Sequence, residues 1–415
     1  MKSVILRQVR VWHPTSSLHG QVSDFLLDDK GALQMLPQGE TGGDFPELIL
    51  EDAYISIGWT DLFADYREPG QEQKETLLSG MAAAERGGFA QVGLLPNTQP
   101  PADSRGAVEN VQRYNFRKRV DILPYGALSQ KLEGKALAEM LDMRAGGAVG
   151  FTDGWKPVQN GGLLLKALEY VKAFDGLIVQ FPNDEALAKG GLMHEGLMST
   201  RLGMAGIPSI AETLAVHRDI EILRYTGSRL HLSGISTAAS VALIREAKAD
   251  GLDLTCSVTP YHLLLTDEAL IDYEPAWKLT PPLRPESDRQ ALLDALADST
   301  IDAVTSHHRP QDWDSKTKEF EYAAEGLAVQ EVLFPLLLKA AGEQVSFDRL
   351  VDAVSAAPRR VLGLPEKGFD NGAKWTVFSP TGETVIRRKE AHSKAFNNPF
   401  LDHSLPGKVF GIFGV

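Results

Sequence analysis

The stretch GWTDLFADYREPG, residues 58–70, marks the point where the character of the chain changes. Before it, the sequence predicts short strands, including a hairpin around the DDKG turn at 28–31. After it, apolar strands alternate with segments of helical period. The stretch itself predicts a strand followed by a Gly-containing turn. Two histidines at alternate positions of such a strand could ligate one metal ion, but this strand has Phe63 and Asp65 there.

Strand, loop and helix repeat from residue 58 to residue 365. The helical segment ETLLSGMAAAERGGF (75–89), for example, precedes the apolar strand AQVGLLP (90–96). This repeat predicts an α/β fold, a (β/α)8 TIM-type barrel over 58–365, with loops at the strand C-termini available for a functional site. Short strands return near the C-terminus in KWTVFSP, ETVIRRK and KVFGIFGV. We therefore predict a small β domain built from both chain termini, residues 1–57 and 366–415.

Composition narrows the class of protein. The chain has 415 residues, 43% hydrophobic and 23% charged, which suits one large globular domain beside a smaller one. Its formal net charge of −13 disfavours nucleic-acid binding, which needs a basic face. The single cysteine, Cys256, excludes an internal disulfide and a cysteine-based zinc cage. Because no signal-like N-terminus and no apolar run of about 18 residues is evident, we predict a cytoplasmic protein that does not use a membrane.

Several further motifs lie in the same order as in a known family. REPG at 67–70, followed by Lys74 and Glu75, and LPNTQP at 95–100 resemble segments of the dihydroorotases of the amidohydrolase superfamily. The similarity is collinear over nearly the whole chain and continues through GFTDGWKPV, GIPSIAE, HRDIEILRYTG, STAAS, TPYHLLLTDE, PPLR and NNPF. The resemblance implies the same barrel and terminal β domain. It also implies a role in pyrimidine biosynthesis, where the family opens the dihydroorotate ring or closes it from carbamoyl aspartate.

The chemistry of this family depends on one or two zinc ions, which activate water and polarise the amide carbonyl. Its opening motif is D-x-H-x-H-x-R-E-P-G, in which two histidines project from one face of a strand to one ion. Here Asp61 is kept, but Phe63 and Asp65 replace the two histidines. By the same resemblance, Phe181 replaces a third metal histidine and Gly234 replaces a fourth.

Other functional positions also differ from the family pattern. Ser306, in VTSHHRP, stands where the family has its catalytic aspartate. FTDGW keeps Asp153 of the family's S-D-D-G segment but has Gly154 in place of the second aspartate, and TPPLR has Thr280 where a substrate-contacting asparagine is usual. A metal site needs its ligand number and geometry together. The losses therefore predict a homologue without catalytic residues, bound metal or other cofactor.

A rebuilt metal site is the alternative. Asp65 and Asp153 are oxygen ligands near the expected barrel mouth, and His307 or His308 could join them to hold zinc or manganese. The competing expectation is that Asp65 forms a salt bridge or accepts hydrogen bonds from the backbone. His231, three residues before the lost fourth histidine, is expected to point away from the barrel lumen and to be structural.

Two positions that contact substrate in the family are kept, Arg67 and Asn97. By the resemblance they would bind the carboxylate of an anionic small molecule, a task that suits the bidentate guanidinium group. Arg67 could instead pair with Asp65 or Asp153 and replace the charge of the lost cation. The sequence leaves both possibilities open, and it leaves open whether the two phenylalanines fill the barrel cavity.

Three functions follow as hypotheses. In the first, which we favour, the chain is an inactive homologue that acts as a scaffold or regulatory partner of aspartate transcarbamoylase, as inactive relatives of the family do. In the second, it is an active cyclic amidohydrolase with a rearranged zinc site on Asp65 and Asp153. In the third, it is a non-catalytic sensor that binds an anionic pyrimidine intermediate through Arg67 and Asn97. We also expect a homo-oligomer.

Overall fold

The structure is a computed structural model that describes residues 3–28, 33–37, 45–116, 119–365 and 373–414. Its strands are β1 (Val4–Trp12), β2 (Val22–Leu27), β3 (Leu33–Leu36), β4 (Glu47–Ile49), β5 (Tyr54–Ile57), β6 (Trp59–Ala64), β7 (Phe89–Leu94), β8 (Asp121–Pro124), β9 (Leu177–Gln180), β10 (Met193–His194), β11 (Gly206–Ile207), β12 (Arg229–Ser233), β13 (Leu254–Val258), β14 (Ala303–Val304), β15 (Trp375–Val385) and β16 (Ser404–Phe413). Its α-helices are α1 (Leu77–Gly87), α2 (Arg105–Gln112), α3 (Met140–Ala145), α4 (Gly161–Lys172), α5 (Glu185–Ala188), α6 (Leu197–Leu202), α7 (Ile210–Thr226), α8 (Ala238–Ala249), α9 (Pro260–Leu264), α10 (Glu286–Ala297), α11 (Trp313–Lys316), α12 (Leu333–Ala341), α13 (Phe347–Val354) and α14 (Ala356–Val361). No helix in the described part of the chain is both long and apolar enough to cross a membrane.

Strands from both ends of the chain form one seven-stranded sheet. Its order is β16-β15-β5-β1-β2-β3, with β4 beside β1. Strand β15 runs antiparallel to β5, with Trp375 opposite Ile57, so the C-terminal segment completes the N-terminal sheet. Strands β2 and β3 pair as predicted for a hairpin, although residues 29–32 of its turn lie outside the described residues. The predicted domain limit at 365/366 adjoins residues 366–372, which are also outside them, and stays a prediction.

A ring of parallel strands forms the body of the molecule. The strand groups β6-β7-β8 and β9-β12-β13-β14 are each hydrogen-bonded in parallel. Phe151 joins them on one side through single bridges to Gly126 and Ile178, and a bridge between Ala64 and His308 closes the other side. With the Phe151 segment included, the ring has eight members, which confirms the predicted (β/α)8 barrel.

Along β12, side chains alternate between the outside of the barrel and its lumen. Leu230 and Leu232 are buried in the same apolar cluster as Val241 and Ile244 of α8, on the outside of the ring. The residues between them therefore face the lumen. Because parallel strands end on the same side of a barrel, the loops after β6, β9, β12 and β14 meet at one mouth.

A buried polar network explains two of the family-like motifs. Glu212, from GIPSIAE on α7, accepts hydrogen bonds from the backbone N–H groups of Ser236 and Thr237 in STAAS, each at 3.0 Å. Thr237 in turn caps α8, and Arg284 of PPLR donates to the Ser236 hydroxyl at 3.0 Å. These motifs fix the loop after β12 and therefore serve the fold.

Candidate functional site

The predicted ligand and catalytic positions gather at the barrel mouth. Phe63 is the last residue but one of β6, and Asp65 directly follows that strand. Phe181 follows β9, Gly234 follows β12 and Ser306 follows β14. The side chains at these positions are buried, with Phe63 and Ser306 at 0% exposure. The structure therefore brings together the positions that sequence comparison singled out, but with different chemistry.

Four rings pack against one another where metal ligands would lie, and we call Phe63, Trp155, Phe181 and His307 the aromatic cluster. Phe63 stacks on His307 with ring centroids 4.5 Å apart and an interplanar angle of 30°. Trp155 meets Phe63 edge-on at 4.9 Å and Phe181 edge-on at 5.6 Å. These are the separations and angles at which aromatic pairs attract. The cluster fills the space between the ends of β6, β9 and β14. The two phenylalanines therefore occupy the barrel cavity together with Trp155 and His307.

Trp155 connects the aromatic cluster to the charged groups around it. Its indole Nε1 donates to Asp65 Oδ2 at 3.1 Å. The guanidinium carbon of Arg309 lies 4.6 Å from its ring centroid, a cation–π contact. The indole is thus fixed at its edge by an anion and at its face by a cation.

Asp65 forms a buried ion pair with Arg67. Arg67 Nη1 lies 3.0 Å from Asp65 Oδ2, and the backbone N–H of Arg67 donates to Asp65 Oδ1 at 3.0 Å. Arg67 Nε also donates to the carbonyl of Pro310 at 3.3 Å. Burial lowers the pKa of Arg67 from its ordinary value, while the adjacent carboxylate works against that shift. Of the two expectations for Arg67, the structure contains the pairing with Asp65.

Asp153 is held by the neighbouring loop. Its Oδ1 accepts from the backbone N–H groups of Leu128 at 3.0 Å and Ser129 at 2.9 Å, and its Oδ2 accepts from the Ser129 hydroxyl. Burial raises the pKa of Asp153, and the hydrogen bonds from Ser129 and Leu128 oppose that shift. The carboxylate therefore serves as an acceptor for this turn.

Asn97 and Gly154 fit together closely. Asn97 donates to the Asp153 carbonyl at 3.0 Å and accepts from the Trp155 backbone N–H at 3.3 Å. A Cβ atom at Gly154 would stand 1.8 Å from Asn97 Oδ1, and Gly154 has a φ of +57°. A second aspartate at 154, as in the family motif, would displace Asn97. Both predicted substrate-contacting residues are thus engaged within the protein.

Gly234 is in contact with the His307 ring. A Cβ atom at position 234 would lie 2.5 Å from His307 Cε1. His307 Nε2 is 2.9 Å from the Ser233 hydroxyl, and Nδ1 has no hydrogen-bond partner among the described residues. Burial holds the pKa of His307 well below its usual range, so the ring is neutral. The imidazole therefore packs as part of the aromatic cluster, in space that a side chain at 234 would need.

Ser306 contributes to barrel closure. Its hydroxyl donates to Asp61 Oδ2, and its backbone N–H donates to Asp61 Oδ1 at 3.0 Å. Thr305 donates to Asp61 Oδ1 at 2.6 Å, and Gln330 donates to Oδ2 at 2.7 Å. Asp61, the kept residue of the family's opening motif, thus ties β6 to β14.

The expected orientation of His231 is wrong. His231 faces the lumen, where Nδ1 lies 2.9 Å from the Thr255 hydroxyl and Nε2 lies 3.0 Å from the Ser257 hydroxyl. The expectation assumed that side chains alternate between the two faces from His231 to position 234. That alternation ends before Gly234, which lies beyond the end of β12 at a φ of +80°. Both ring nitrogens are nevertheless taken up by hydroxyl groups, which agrees with a structural role.

The residues at the mouth do not fit the zinc centre typical of the family. No group of three or more His, Cys, Asp or Glu side chains able to hold a metal ion occurs within the described ranges. Asp65 is engaged by Arg67 and Trp155, as described above. His308 points away from its neighbour in sequence and lies 3.3 Å from a carboxylate oxygen of Glu75, which is itself fully buried.

Sequence reasoning missed two members of the aromatic cluster. Trp155 and His307 follow different strands, and only the folded barrel brings them to Phe63 and Phe181. A signal was present in the sequence. Phenylalanine stands at two family ligand positions, one on β6 and one directly after β9, and Trp155 comes two residues after Asp153. Several apolar replacements that face one cavity predict a packed interior.

Comparison with known proteins places this geometry in a family. The Dihydro-orotase-like family model matches residues 54–240. The chain is 37% identical over 410 residues to a protein named dihydroorotase from Syntrophus aciditrophicus (strain SB), covering 98% of this chain and 96% of that protein. It is also 37% identical to the dihydroorotase of Syntrophobacter fumaroxidans, covering 99% and 95%.

Solved structures share the fold at low sequence identity. The L-hydantoinase (dihydropyrimidinase) from Arthrobacter aurescens superposes with a TM-score of 0.84 at 22% identity, covering 99% of this chain and 94% of that one. The dihydropyrimidinase from Brevibacillus agri NCHU1002 gives 0.79 at 19% identity, covering 99% and 93%. The fold is thus that of the amidohydrolase barrels. Within that class, this chain belongs to the dihydroorotase family.

Proposed function

We propose that this chain is a non-catalytic dihydroorotase homologue that serves pyrimidine biosynthesis as a scaffold or regulatory partner of aspartate transcarbamoylase. The observation that carries the first half of this proposal is the aromatic cluster. Phe63 and Phe181 occupy two metal-ligand positions, and the His307 ring lies against a third, Gly234. A barrel whose mouth is packed with rings has neither the donors for a metal-bound water nor the space for a substrate ring.

The partner half of the proposal rests on the resemblance and on the intact scaffold. Inactive relatives of the dihydroorotase family act as scaffold partners of aspartate transcarbamoylase. The barrel is closed at both seams, and the network around Glu212 is complete. Such a fold, kept while its reactive groups are lost, is suited to a role in assembly.

The two alternative functions have less support. A rebuilt metal site would need Asp65 and Asp153 as ligands, but Asp65 pairs with Arg67 and Asp153 accepts three hydrogen bonds from residues 128–129. A sensor that uses Arg67 and Asn97 would have to break the Arg67–Asp65 ion pair and both Asn97 hydrogen bonds. The side chains that each alternative needs are thus already engaged within the protein, and not free to bind a metal ion or an anion.

The test is an assay of both reaction directions. We expect the purified protein, supplied with zinc and then manganese, neither to open dihydroorotate nor to close carbamoyl aspartate, under conditions where the Syntrophus aciditrophicus relative is assayed beside it. Metal analysis should give much less than one ion per chain. Stoichiometric metal, with turnover that Asp153→Ala removes and Asp142→Ala at an exposed position retains, would overturn the proposal.

A second arm tests the partner. Aspartate transcarbamoylase from the same cells should co-purify with a tagged form of this chain, and the association should survive Asp153→Ala. If the transcarbamoylase runs alone in size-exclusion chromatography while this chain is present in excess, the scaffold role is wrong even where the chain is inactive.

A further inference from the structure

A large cavity lies outside the aromatic cluster. It has a volume of about 770 Å³, within the range of about 300–1,000 Å³ that is usual for small-molecule sites. Three chain segments and one arginine form its wall, namely 274–276, 316–319, 396–399 and Arg388. The NNPF motif contributes to this wall, and nothing in the proposed function uses the cavity.

Lys316, the last residue of α11, is the unusual member of this wall. It is only 4% exposed, yet no carboxylate in the described part of the chain lies within ion-pair distance of its amine. Its Nζ donates one hydrogen bond, to the carbonyl of Pro275 at 2.8 Å. An ammonium group has three N–H donors, so two remain for another partner. A buried cation without a counter-ion is costly unless something binds to it.

Further cations line or border the same cavity. Lys318 and Arg388 line it, and the Arg388 guanidinium is fixed 5.0 Å above the Phe396 ring, with a hydrogen bond of 2.9 Å to the Phe396 carbonyl. Glu274 and Glu319 also line it and, like Lys318 and Arg388, are exposed to water. The cavity wall therefore carries three cations against two carboxylates, on a chain with a net charge of −13, and the buried charged group among them is the Lys316 amine.

We propose that this cavity binds a small organic anion, and that the Lys316 ammonium and the Arg388 guanidinium hold its phosphate or carboxylate group. The volume leaves room for an organic body beyond the charged group. Arginine and lysine are the side chains that proteins use for such anions. The inference concerns a surface apart from the Arg67–Asn97 positions and does not depend on the loss of catalysis.

The amine gives this binding a pH signature. Burial lowers the pKa of Lys316 to about 7, and Arg309 adds to that shift. The other charged groups that face the amine are Glu325 and Glu274, which favour the ammonium, and Lys278, which disfavours it. Since an anion needs the ammonium form, its affinity should fall as the pH rises above 7, by up to about tenfold per pH unit. Binding above that pH should take up a proton.

Isothermal titration calorimetry of the full chain tests the proposal. The probes are inorganic sulfate, adenosine 3′,5′-cyclic monophosphate and tartrate, whose charges stay constant over this range, titrated at pH 6.0, 7.0 and 8.0 in buffers of different ionisation enthalpy. We expect at least one probe to bind at pH 6.0 and to weaken about tenfold by pH 8.0. The phosphate and carboxylate probes distinguish the two possible anionic groups.

Three variants connect the binding to the amine. Lys316→Met, which removes the charge and keeps an unbranched side chain one atom shorter, should weaken binding at least tenfold. Lys316→Arg should retain binding without the pH dependence near 7. Lys339→Met, at an exposed lysine of α12, is the matched control and should bind as the parent chain does. Circular dichroism and the melting temperature check that each variant is folded.

Three results would overturn the proposal. One is the absence of binding by every probe at millimolar concentration and pH 6.0. The others are binding that a folded Lys316→Met variant retains, and binding that does not change between pH 6.0 and 8.0.

Discussion

Asp65 carries a negative charge into a buried position where the family typically has a neutral metal ligand. In this chain the guanidinium of Arg67 supplies the compensating positive charge, at 3.0 Å. Trp155 adds a hydrogen bond to the same carboxylate, so both oxygens of Asp65 are satisfied. The ion pair and these hydrogen bonds together offset part of the cost of burying both charges.

This pairing predicts a non-additive result on stability. Asp65→Asn leaves the Arg67 cation buried without its partner and should lower the free energy of unfolding by about 3–5 kcal/mol. Asp65→Asn combined with Arg67→Met should cost clearly less than the sum of the two single changes. Urea denaturation measures all three. Asp142→Asn, whose side chain is 58% exposed, is the control and should stay within about 0.5 kcal/mol of the parent chain.

At the end of β12, a glycine stands where the family pattern has a metal-ligand histidine. Gly234 has a φ of +80° and lies directly against the edge of the His307 ring. Gly251, after α8, has the same φ of +80°, but no heavy atom lies within 4 Å of its hypothetical Cβ. Substitutions at the two glycines therefore distinguish the cost of backbone strain alone from the cost of strain combined with steric contact.

Alanine at these two glycines should give different losses of stability. Gly251→Ala introduces strain only and should cost about 1 kcal/mol, whereas Gly234→Ala adds overpacking and should cost about 2–4 kcal/mol. In a His307→Ala background, the added cost of Gly234→Ala should fall toward that of Gly251→Ala, because the ring that is contacted is gone. Equal losses at 234 and 251 in urea denaturation would show that His307 does not fill that space.

The elements themselves were largely predictable from the sequence, and the contents of the barrel were not. The segment ETLLSGMAAAERGGF has helical period and a Thr76 cap, and it forms α1 as predicted. Strand alternation fails at His231, because the chain leaves the strand before Gly234. The packing of Trp155 against Phe63 depends on loops after different strands, and local sequence carries no information on how such loops meet. The resemblance located the positions, but it could not show that rings would fill them.

Buried neutral histidines make acid destabilising for this fold, against an opposite contribution from Asp219, whose pKa burial raises to about 6. Burial lowers the pKa of His231 to about 3 and of His194 and His262 to about 4, and it holds the pKa of His307 well below its usual range. The unfolded chain takes up these protons near pH 6.5, while the folded chain does not. Protonation therefore favours the unfolded state. The stability that is present above about pH 6.5 is lost as the pH falls toward 4.

The urea midpoint should accordingly decrease steeply between pH 7 and pH 5. Each histidine that stays neutral in the fold contributes up to about 1.4 kcal/mol per pH unit below about pH 6.5. His231→Gln, which keeps hydrogen-bonding groups near Thr255 and Ser257, should make the decrease shallower, whereas His403→Gln at an exposed position should not. A midpoint that stays constant from pH 7 to pH 5 would contradict the prediction.

The contact between Gly234 and His307 also has a consequence for ancestry. A mutation that returns histidine to position 234 meets the imidazole of 307, and one that returns histidine to position 63 removes the ring on which that imidazole stacks. Each of these single substitutions is therefore expected to destabilise the fold unless the contacting residues change with it. A chain with this arrangement would have to change several of these residues together to place histidines at 63 and 234, so single selected steps do not lead there.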